Sequence, residues 1–424
     1  MINFGDILIY VATFFGLFTS LYFFITLFER RSNLYQGETK KYQPVTICVP
    51  CYNEENTLEG TLLSLTQLDY DKKQLEIIVV DDGSKDKTYK IALEFAKKHP
   101  ASDIKVFKKK NGGKYTALNL ALKKARGRFF GALDADSFVD KKSLRRLMKF
   151  LEDKNVSVVT PSMKIYKPKG ILRRIQAIEY LMGIFLRKVF AELGSIHVTP
   201  GPFSIYRMEV FEKYGPYRKA YHTEDIEVAL RAQVNNLVIE NSVDAFVYTV
   251  GPKTFKTLYK QRLRWYHGFI RNILDYKQVF GRKHGNLGLF ILPASFISVF
   301  MLITLIFYVI INRASALRNS LQSLHAINFD LSTWQWFNLD SFFLNTSGPA
   351  MVGIIALLFT ITLIVIAKII SKEKKSIIYS YIFFALFYAP LYAFWWLVSI
   401  WYVIFTKDKV KWGHKSENTN EASV

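Results

Sequence analysis

The sequence predicts an α/β domain with a mostly parallel, Rossmann-like sheet, joined at both ends to apolar helices that cross a membrane. From residue 43 to about residue 162, short apolar runs alternate with amphipathic stretches, which is typical of strand–helix–strand units. Apolar stretches of about 20 residues, enough to cross a bilayer, lie before and after this region. The chain has 424 residues, of which 50% are hydrophobic, so it is long enough for one large domain and a membrane portion.

The net charge and the two cysteines limit the classes of function that fit the sequence. The formal net charge of +22 suits nucleic acid, anionic lipid or an anionic substrate as a partner. The long apolar segments favour membrane lipids and argue against nucleic acid. The only two cysteines, Cys48 and Cys51, have C-x-x-C spacing, but no second pair or histidine cluster accompanies them. We therefore predict reduced thiols in or near the core, with neither zinc nor redox chemistry.

The first predicted element is a membrane span at residues 6–28. This stretch carries no charge after Asp6 and is long enough to cross a bilayer once. Basic residues follow it, namely Arg30, Arg31, Lys40 and Lys41. A secretory signal peptide would instead have its positive charge before the apolar run. Because positive charge collects on the cytoplasmic side, we expect the next domain in the cytoplasm.

Two buried strands of the predicted sheet end in polar turns. Val45–Pro50 leads into a polar turn and then a helix that opens at Thr57. Glu76–Val80 ends at the neighbouring carboxylates Asp81 and Asp82. The next predicted elements are a helix at 86–98 and a strand at 104–107. In an open parallel sheet, ligands bind beyond the carboxyl ends of the strands, so these turns are candidate binding segments.

A third apolar run, Arg128–Leu133, ends in two carboxylates, Asp134 and Asp136. Spaced i, i+2 on an extended chain, they point to the same side and suit a hard divalent cation with its phosphates. The alternative is a strand end whose acids are solvated and begin a turn. We expect Asp81 and Asp82 at the same edge of the sheet, where the two acidic pairs would form a nucleotide pocket.

A glycine-containing loop lies between the two acidic pairs. Gly112 and Gly113 let backbone N–H groups approach a phosphate, and Lys114 supplies positive charge. The spacing is not that of a P-loop. No G-x-G-x-x-G follows the first strand either, which argues against a dinucleotide-dependent dehydrogenase.

Four motifs, in this order and spacing, resemble family 2 glycosyltransferases. They are Val49–Glu54, Val80–Ser84, Asn111–Lys114 and Asp134–Asp136. The resemblance implies a GT-A fold and a nucleotide-activated sugar as donor. It also implies that Asp81 and Asp82 contact the base and ribose and that Asp134 lies beside the nucleotide. Asp136 would hold Mg²⁺ or Mn²⁺ on the diphosphate, where the cation offsets developing charge.

Two further motifs follow. In Thr223-Glu224-Asp225, a carboxylate could take a proton from an acceptor hydroxyl, although Thr223 followed by acids is an equally good helix N-terminus. On an amphipathic helix, Arg264 could meet a diphosphate and Trp265 could stack on a sugar. The alternative for this second segment is an ordinary basic interfacial helix.

Together these motifs resemble processive membrane polysaccharide synthases such as the cellulose, hyaluronan, chitin and poly-N-acetylglucosamine synthases. The resemblance implies that Asp225 is the general base and that Gln261, Arg264 and Trp265 lie at the diphosphate and acceptor end. The segment Val198–Arg207 resembles the acceptor loop of the same enzymes, with Gly201 and Phe203 at the sugar site. A strand with a bend is the alternative for this loop.

The rest of the sequence predicts membrane contact. Basic amphipathic segments at 171–193 and 255–280 are typical of membrane-surface helices, with core helices of the domain as the alternative. Apolar spans follow at 287–311 and 351–370, separated by a loop at 312–347. The last apolar stretch, 377–405, contains Pro390 and fits either one long tilted helix or a re-entrant hairpin.

The predicted layout is a leading span at 1–30, a cytoplasmic catalytic domain at 43–250, an interfacial region at 251–283, a membrane bundle at 287–406 and a polar tail at 407–424. In layout and length it is closest to the poly-β-1,6-N-acetylglucosamine synthases. That resemblance implies inverting, processive polymerisation of a UDP-sugar, UDP-N-acetylglucosamine above others, in the plasma membrane. Transfer of one sugar to a membrane lipid, and a scaffold with a degenerate domain, are the alternatives. The few spans point to an accessory membrane subunit or a homo-oligomer.

Overall fold

The computed structural model describes residues 4–30, 34–326 and 348–406. The strands are β1 Val45–Cys51, β2 Leu75–Asp81, β3 Asp103–Lys108, β4 Phe129–Ala132, β5 Ser137–Val139, β6 Val156–Ile165, β7 Ile205–Arg207 and β8 Val238–Thr249. The helices are α1 Phe4–Glu29, α2 Leu58–Thr66, α3 Thr88–Lys98, α4 Lys114–Lys124, α5 Ser143–Phe150, α6 Ile171–Glu192, α7 Met208–Tyr214, α8 Glu224–Val234, α9 Phe255–Asp275, α10 Leu292–Ala326, α11 Gly348–Ile370 and α12 Ile378–Phe405.

The eight described strands form one mixed sheet in the order β3-β2-β1-β4-β7-β6-β8-β5. The first half is parallel, with β1 between β2 and β4 and with β3 outside β2. Strands β1, β2 and β4 are near-continuous apolar runs, as expected for strands covered by helices on both faces, and they confirm the predicted α/β class. Their carboxyl ends lie at one edge and carry Cys51, Asp81 and the residues after Ala132.

Alternating residues of β1 divide the core into two layers. Val45, Ile47 and Val49 pack with α2 and α5 on one face. Cys48 packs on the other face with Ala117 and its neighbours in α4. Both cysteines are free and buried, as the sequence predicted. The closed core on both faces leaves the strand ends as the edge where polar side chains can gather.

The second half of the sheet is mixed. Strand β7 lies antiparallel between β4 and β6, and β8 runs parallel to β6. Helix α8 packs beside this half through Val228 and Ala232, which join the same layer as Cys48. The Thr223-Glu224-Asp225 segment therefore reaches the edge at which β1, β2 and β4 end.

Four of the described helices are long and apolar enough to cross a membrane: α1, α10 with its leading π-helical turn, α11 and α12. Helix α1 contacts both α10 and α11. Gly5 of α1 faces Tyr308, and Gly348 at the start of α11 faces Tyr10. At the other end, Leu27 of α1 packs against Leu363 of α11. The ends of α1 and α11 that lie together here are the ends nearest the sheet.

Helix α6 connects the sheet to the apolar helices. At its beginning, Arg173 donates a hydrogen bond from Nε to the carbonyl oxygen of Gly251, 2.8 Å away. Further along, Leu181 and Phe185 pack with Leu27 and Leu363. The helix thus has one face on the α/β domain and one on the apolar helices, which accounts for a sequence that fitted both interpretations.

The structure moves one predicted boundary and decides between two alternatives in the predicted membrane portion. The predicted loop began at residue 312, but α10 continues to Ala326. Residues 312–326 contain no glycine or proline, so polarity alone does not end the helix. A re-entrant hairpin at 377–405 is also wrong, because α12 is a single helix with Pro390 inside it. The predicted loop residues 327–347 and the tail 407–424 lie outside the described residues.

Candidate active site

The turns after β1 and β2 are joined by hydrogen bonds. Asn53, which adopts a left-handed φ of 58°, donates from its backbone N to Ser84 Oγ at 2.9 Å. Its side-chain Oδ1 accepts a hydrogen bond from the backbone N of Lys85 at 2.9 Å. Asparagine tolerates this backbone conformation better than most residues. The two turns are therefore fixed as one floor at the edge of the sheet.

Asp82 holds the glycine loop in place. Its carboxylate accepts hydrogen bonds from the backbone N of Gly112 at 3.1 Å and of Gly113 at 2.8 Å. Lys109 Nζ pairs with the same carboxylate at 2.6 Å. The side chain is buried and its oxygens are already engaged. The structure thus shows Asp82 positioning the loop, and its predicted contact with base or ribose stays a prediction.

Asp81 has a different environment from its neighbour. The side chain is fully buried, and Oδ1 accepts a hydrogen bond from the backbone N of Ser84 at 3.2 Å. Oδ2 is buried without a hydrogen-bond partner among the residues described. A buried acceptor of this kind costs free energy unless something pairs with it. Asp81 therefore offers an acceptor to a ligand that carries an N–H or O–H donor.

Lys114 links two motifs that lie about ninety residues apart in the sequence. Its Nζ lies 2.6 Å from Asp134 Oδ1 and 3.2 Å from Glu224 Oε1. Burial opposes the charged form of the lysine, but Asp134, Glu224 and Asp225 together raise its pKa above the usual value. The ammonium group is therefore a permanent positive charge between the two acidic motifs.

Gly201 packs closely against this lysine. A Cβ at Gly201 would lie 3.0 Å from Lys114 Nζ, 3.7 Å from Asp225 Oδ2 and 3.9 Å from Asp134 Oδ2. A side chain at this position would therefore crowd all three groups. The structure thus brings together Gly201 and the residues predicted for three separate roles.

A third carboxylate, which the sequence interpretation missed, lies near the D-A-D motif. Burial and then repulsion from Asp136 raise the pKa of Glu54 to about 8. Burial and then repulsion from Asp134 raise the pKa of Asp136 to about 6. The sequence feature that could have identified Glu54 is its position in the turn after β1, at the same edge of the sheet as the other acids. The cluster favours a cation that would relieve this repulsion.

The turn before α8 has a strained backbone. Ala220, Tyr221 and His222 have φ angles of 42°, 55° and 65°, which L-residues rarely adopt. Each such residue costs about 1–3 kcal/mol, so surrounding contacts must hold the turn. The turn delivers Thr223 to the helix N-cap position, but the Thr223 side chain makes no capping bond. Helix capping alone therefore does not account for the motif.

Helix α9 supplies the contacts that hold this turn. Asn272 Nδ2 donates a hydrogen bond to Thr223 Oγ1 at 2.9 Å, and Arg264 Nη1 donates one to the carbonyl oxygen of His222 at 3.2 Å. Gly268 faces Thr223 so closely that a Cβ would lie 2.3 Å from Thr223 Oγ1. The helix that carries the Q-x-x-R-W motif thus fixes the position of the T-E-D motif.

Asp225, the last residue of the T-E-D motif, has a pKa that is shifted toward neutrality. Burial and then Glu224 raise its pKa to about 6, whereas Lys114 and Arg264 act in the opposite direction. Its Oδ1 accepts a hydrogen bond from the backbone N of Ile226 at 2.9 Å. A carboxylate with a pKa near the working pH suits general base catalysis.

Comparison with known sequences identifies the class of domain. The family model described as glycosyl transferase family 2 matches residues 46–215. Residues 46–215 are a family 2 glycosyltransferase domain. The T-E-D and Q-x-x-R-W motifs lie after the matched residues, on α8 and α9.

Named relatives and a solved structure agree with this class. Poly-β-1,6-N-acetyl-D-glucosamine synthases of Staphylococcus epidermidis and Staphylococcus aureus are each 31% identical over 255 residues. Each alignment covers 59% of this chain and 60% of the relative's own length. A mannosyltransferase of Pyrobaculum calidifontis, solved with GDP-Man and Mn2+, matches with a TM-score of 0.58 at 19% identity. That match covers 87% of this chain and all of the neighbour, and it confirms the predicted GT-A fold.

Two residues predicted to bind the acceptor, Phe203 and Trp265, have other neighbours in the structure. The structure places the Phe203 side chain in the hydrophobic core with no exposed surface, so only the backbone of its loop borders the site. The Arg262 guanidinium lies over the Trp265 ring, 4.3 Å from its centre, and covers one face. A sugar could stack only on the opposite face. Gln261 Oε1 is buried and has no hydrogen-bond partner within the described part of the chain.

Proposed function

We propose that this chain is an inverting, processive membrane glycosyltransferase that polymerises UDP-N-acetylglucosamine into a β-linked polysaccharide coupled to export. The observation that carries the proposal is the ion-pair centre in which Lys114 contacts Asp134 and Glu224, with Gly201 packed against it. It joins the donor motif to the acceptor motif. The names of the staphylococcal relatives support N-acetylglucosamine as the sugar.

The proposed chemical step is one displacement at the anomeric carbon. The acceptor hydroxyl loses its proton to the Asp225 carboxylate while its oxygen forms a bond to that carbon. The bond between the carbon and the diphosphate oxygen breaks, and UDP leaves with the electron pair. Attack from the face opposite the leaving group inverts the configuration, so an α-linked donor gives a β-linkage. Arg264 and Lys114 are the nearby positive charges that would stabilise the leaving group.

Donor binding is assigned to the carboxyl ends of β1, β2 and β4. The unpartnered Oδ2 of Asp81 supports a contact with a donor group of the base. Asp136 and Asp134 would hold Mg²⁺ or Mn²⁺, and the repulsion among these acids and Glu54 supports a cation there. Within the described residues no three acids, cysteines or histidines form a metal site, so diphosphate oxygens would complete the shell. When bound, the cation offsets negative charge on the diphosphate.

The proposed location is the plasma membrane, with the catalytic domain in the cytoplasm. The basic residues after α1 support this orientation. Helices α1, α10 and α11 would cross the bilayer, because they lie side by side and their inner ends contact the catalytic domain. Three crossing helices are few for an export path. An accessory membrane subunit or a second copy of the chain would complete it.

The test is a panel of radiolabelled UDP-sugars given to membranes that contain this chain, with Mg²⁺ or Mn²⁺ and with separation of products by size. We expect a high-molecular-weight product from UDP-N-acetylglucosamine alone. A single glycolipid that extracts into organic solvent would overturn processivity and assign the chain to lipid glycosylation. Absence of any transfer or donor hydrolysis in the presence of metal would overturn the enzymatic proposal.

A further inference from the structure

Helix α12 has the length and composition of a membrane span, but its beginning is attached to the catalytic domain. The connection from α11 to α12 lies against β6 and β8. Lys164 Nζ of β6 lies 2.9 Å from the carbonyl oxygen of Ser371 and 3.1 Å from Glu373. Lys372 Nζ lies 3.3 Å from Asp244 of β8. The first turn of α12 therefore starts on the catalytic side of the membrane helices.

The other end of α12 returns to the same side. Arg271 of α9 donates a hydrogen bond from Nη2 to the carbonyl oxygen of Val403 at 2.9 Å. The segment after α9 is anchored to the catalytic domain, because Val279 packs with Ile226 and Leu230 of α8. Both ends of α12 are thus held beside elements of the catalytic domain.

The part of α12 around Trp396 also lies close to the catalytic side of the membrane helices. Trp396 is about 27 Å along the axis from Ile378, at about 1.5 Å per residue, which is most of the thickness of a bilayer core. Its ring lies 6.2 Å from that of Phe296, only about 6 Å beyond the start of α10. Helix α10 also starts on the catalytic side, where Leu292 packs with Ile226. A helix that descended through the bilayer would not contact α10 so close to its beginning.

We propose that α12 does not cross the membrane but lies along its catalytic side, where its uncovered face binds the headgroup–acyl boundary of the lipid bilayer. One face of α12 is covered by α6 and α9, with Ala393, Trp395 and Ser399 buried. The other face is an exposed apolar stripe at helical spacing, formed by Tyr379, Ile382, Leu386, Leu397, Trp401 and Ile404. This assignment rests on the proposed crossing of α1, α10 and α11.

Composition and charge favour lipid as the occupant of this stripe. Five tyrosines and three tryptophans lie among the 28 residues of α12, and these residue types are enriched at membrane–water interfaces. Lys374 and Lys375 precede the helix, and Lys407 and Lys409 follow it. Lysines at both ends attract anionic headgroups and place both ends on the cytoplasmic side. A spanning α12 would put the second pair outside, against this charge rule.

Cysteine labelling in intact cells tests the side on which α12 ends. The native Cys48 and Cys51 are buried, so they give little background. Three single variants of the full chain are compared: Thr406→Cys at the end of α12, Glu94→Cys in the catalytic domain and Ser332→Cys in the segment between α10 and α11. A membrane-impermeant maleimide should label only Ser332→Cys in intact cells, and it should label all three after permeabilisation.

The labelling outcomes distinguish failure of the α12 inference from failure of the proposed membrane placement. Labelling of Thr406→Cys in intact cells, with Glu94→Cys protected, would show that α12 crosses and would overturn the inference alone. Labelling of Glu94→Cys in intact cells, or protection of all three variants, would overturn the proposed membrane placement itself, and the assignment of α12 with it.

A depth measurement tests lipid as the occupant. Nitroxide labels are placed by Leu386→Cys, Leu397→Cys and Ile404→Cys in the full chain, reconstituted in vesicles of neutral and anionic phospholipid. Surface helices bury about 5–10 Å below the headgroups, so the three labels should report one shallow depth. A progressive change over the about 27 Å between the first and last label would indicate a span. Shielding from both oxygen and a polar relaxant would indicate a protein partner, and either result overturns the proposal.

Discussion

At the scale of single residues, Asp225 and Lys114 have separable functions. Lys114 is charged throughout the working pH range, because three acids surround it. Asp225 can gain and lose a proton near neutrality, since burial and Glu224 raise its pKa to about 6. In the proposed mechanism one residue supplies a fixed charge and the other accepts a proton, and each can be tested by itself.

The substitution Asp225→Asn should lower sugar transfer at least about a hundredfold, because a positioned general base contributes about 10²–10⁴-fold. UDP binding should stay near the wild-type level, since donor contacts are assigned to other strand ends. Initial transfer rates and calorimetric UDP binding provide the two readouts. Glu212→Gln, which removes an exposed acid of α7, is the control, and near-normal transfer by Asp225→Asn would contradict the assignment of the base.

The pH profile of transfer should follow the titration of Asp225. The ionised form accepts the proton and the folded pKa is about 6, so the rate should be constant above that pH and fall as the pH drops through it. The profile is measured at saturating donor and metal, with donor binding determined in the same buffers. A rate that stays constant from about pH 8 to about pH 5 would contradict this role.

Sequence reasoning at this scale succeeded where residue type alone restricts the chemistry. Paired acids after apolar runs predicted Asp134 and Asp136 at one sheet edge because strand ends converge there. Glu54 was missed, since its importance comes from proximity to Asp136 and not from its own segment. Phe203 was assigned to the acceptor site because of its neighbours in sequence. Its aromatic ring is instead buried in the hydrophobic core.

At the scale of elements, α9 and the turn at 220–222 form one unit. The turn is strained, and the helix holds it through Asn272, Arg264 and the close approach at Gly268. The sequence predicted the helix after the turn and the amphipathic helix that carries the Q-x-x-R-W motif. It could not predict three successive left-handed residues, because that conformation depends on contacts with α9 that are distant in sequence.

The substitution Gly268→Ala should reduce transfer about tenfold or more while the fold persists. Its Cβ would lie 2.3 Å from Thr223 Oγ1, and overpacking of this kind costs about 1–3 kcal/mol. The matched control is Gly183→Ala in α6, where nothing lies within 4 Å of the added Cβ. Transfer rate and thermal unfolding are measured for both. Equal activity of the two variants would refute a positioning function for α9.

At the scale of the whole molecule, the catalytic domain is attached to the membrane helices at several points. Lys164 and Asp244 hold the connection at 371–375, and Arg30 at the end of α1 lies 3.9 Å from Glu192 of α6. Hydropathy predicted the apolar helices but not their arrangement. Length and composition cannot distinguish a crossing helix from a surface helix, whereas contacts at both ends can.

The substitution Lys164→Ala should loosen the connection between α11 and α12. A partly buried ion pair of this type contributes about 1 kcal/mol, so trypsin cleavage at Lys372, Lys374 or Lys375 should accelerate about fivefold. The matched control is Lys169→Ala, which removes an exposed lysine of the same domain. Fragment masses over time provide the measurement, and equal cleavage of the two variants would show that Lys164 does not restrain the segment.

Because α9 holds the turn at 220–222, the proposed active site cannot be isolated with the α/β domain alone. The conserved-domain match ends at residue 215, ten residues before Asp225. A fragment cut at that boundary would contain the nucleotide edge of the sheet but lack strand β8 and Asp225. A fragment cut at residue 250 would contain Asp225 but lack Arg264, Gly268 and Asn272, which hold the turn before it. During synthesis, the proposed site would therefore be complete only after α9 has been made, when α1 has long left the ribosome.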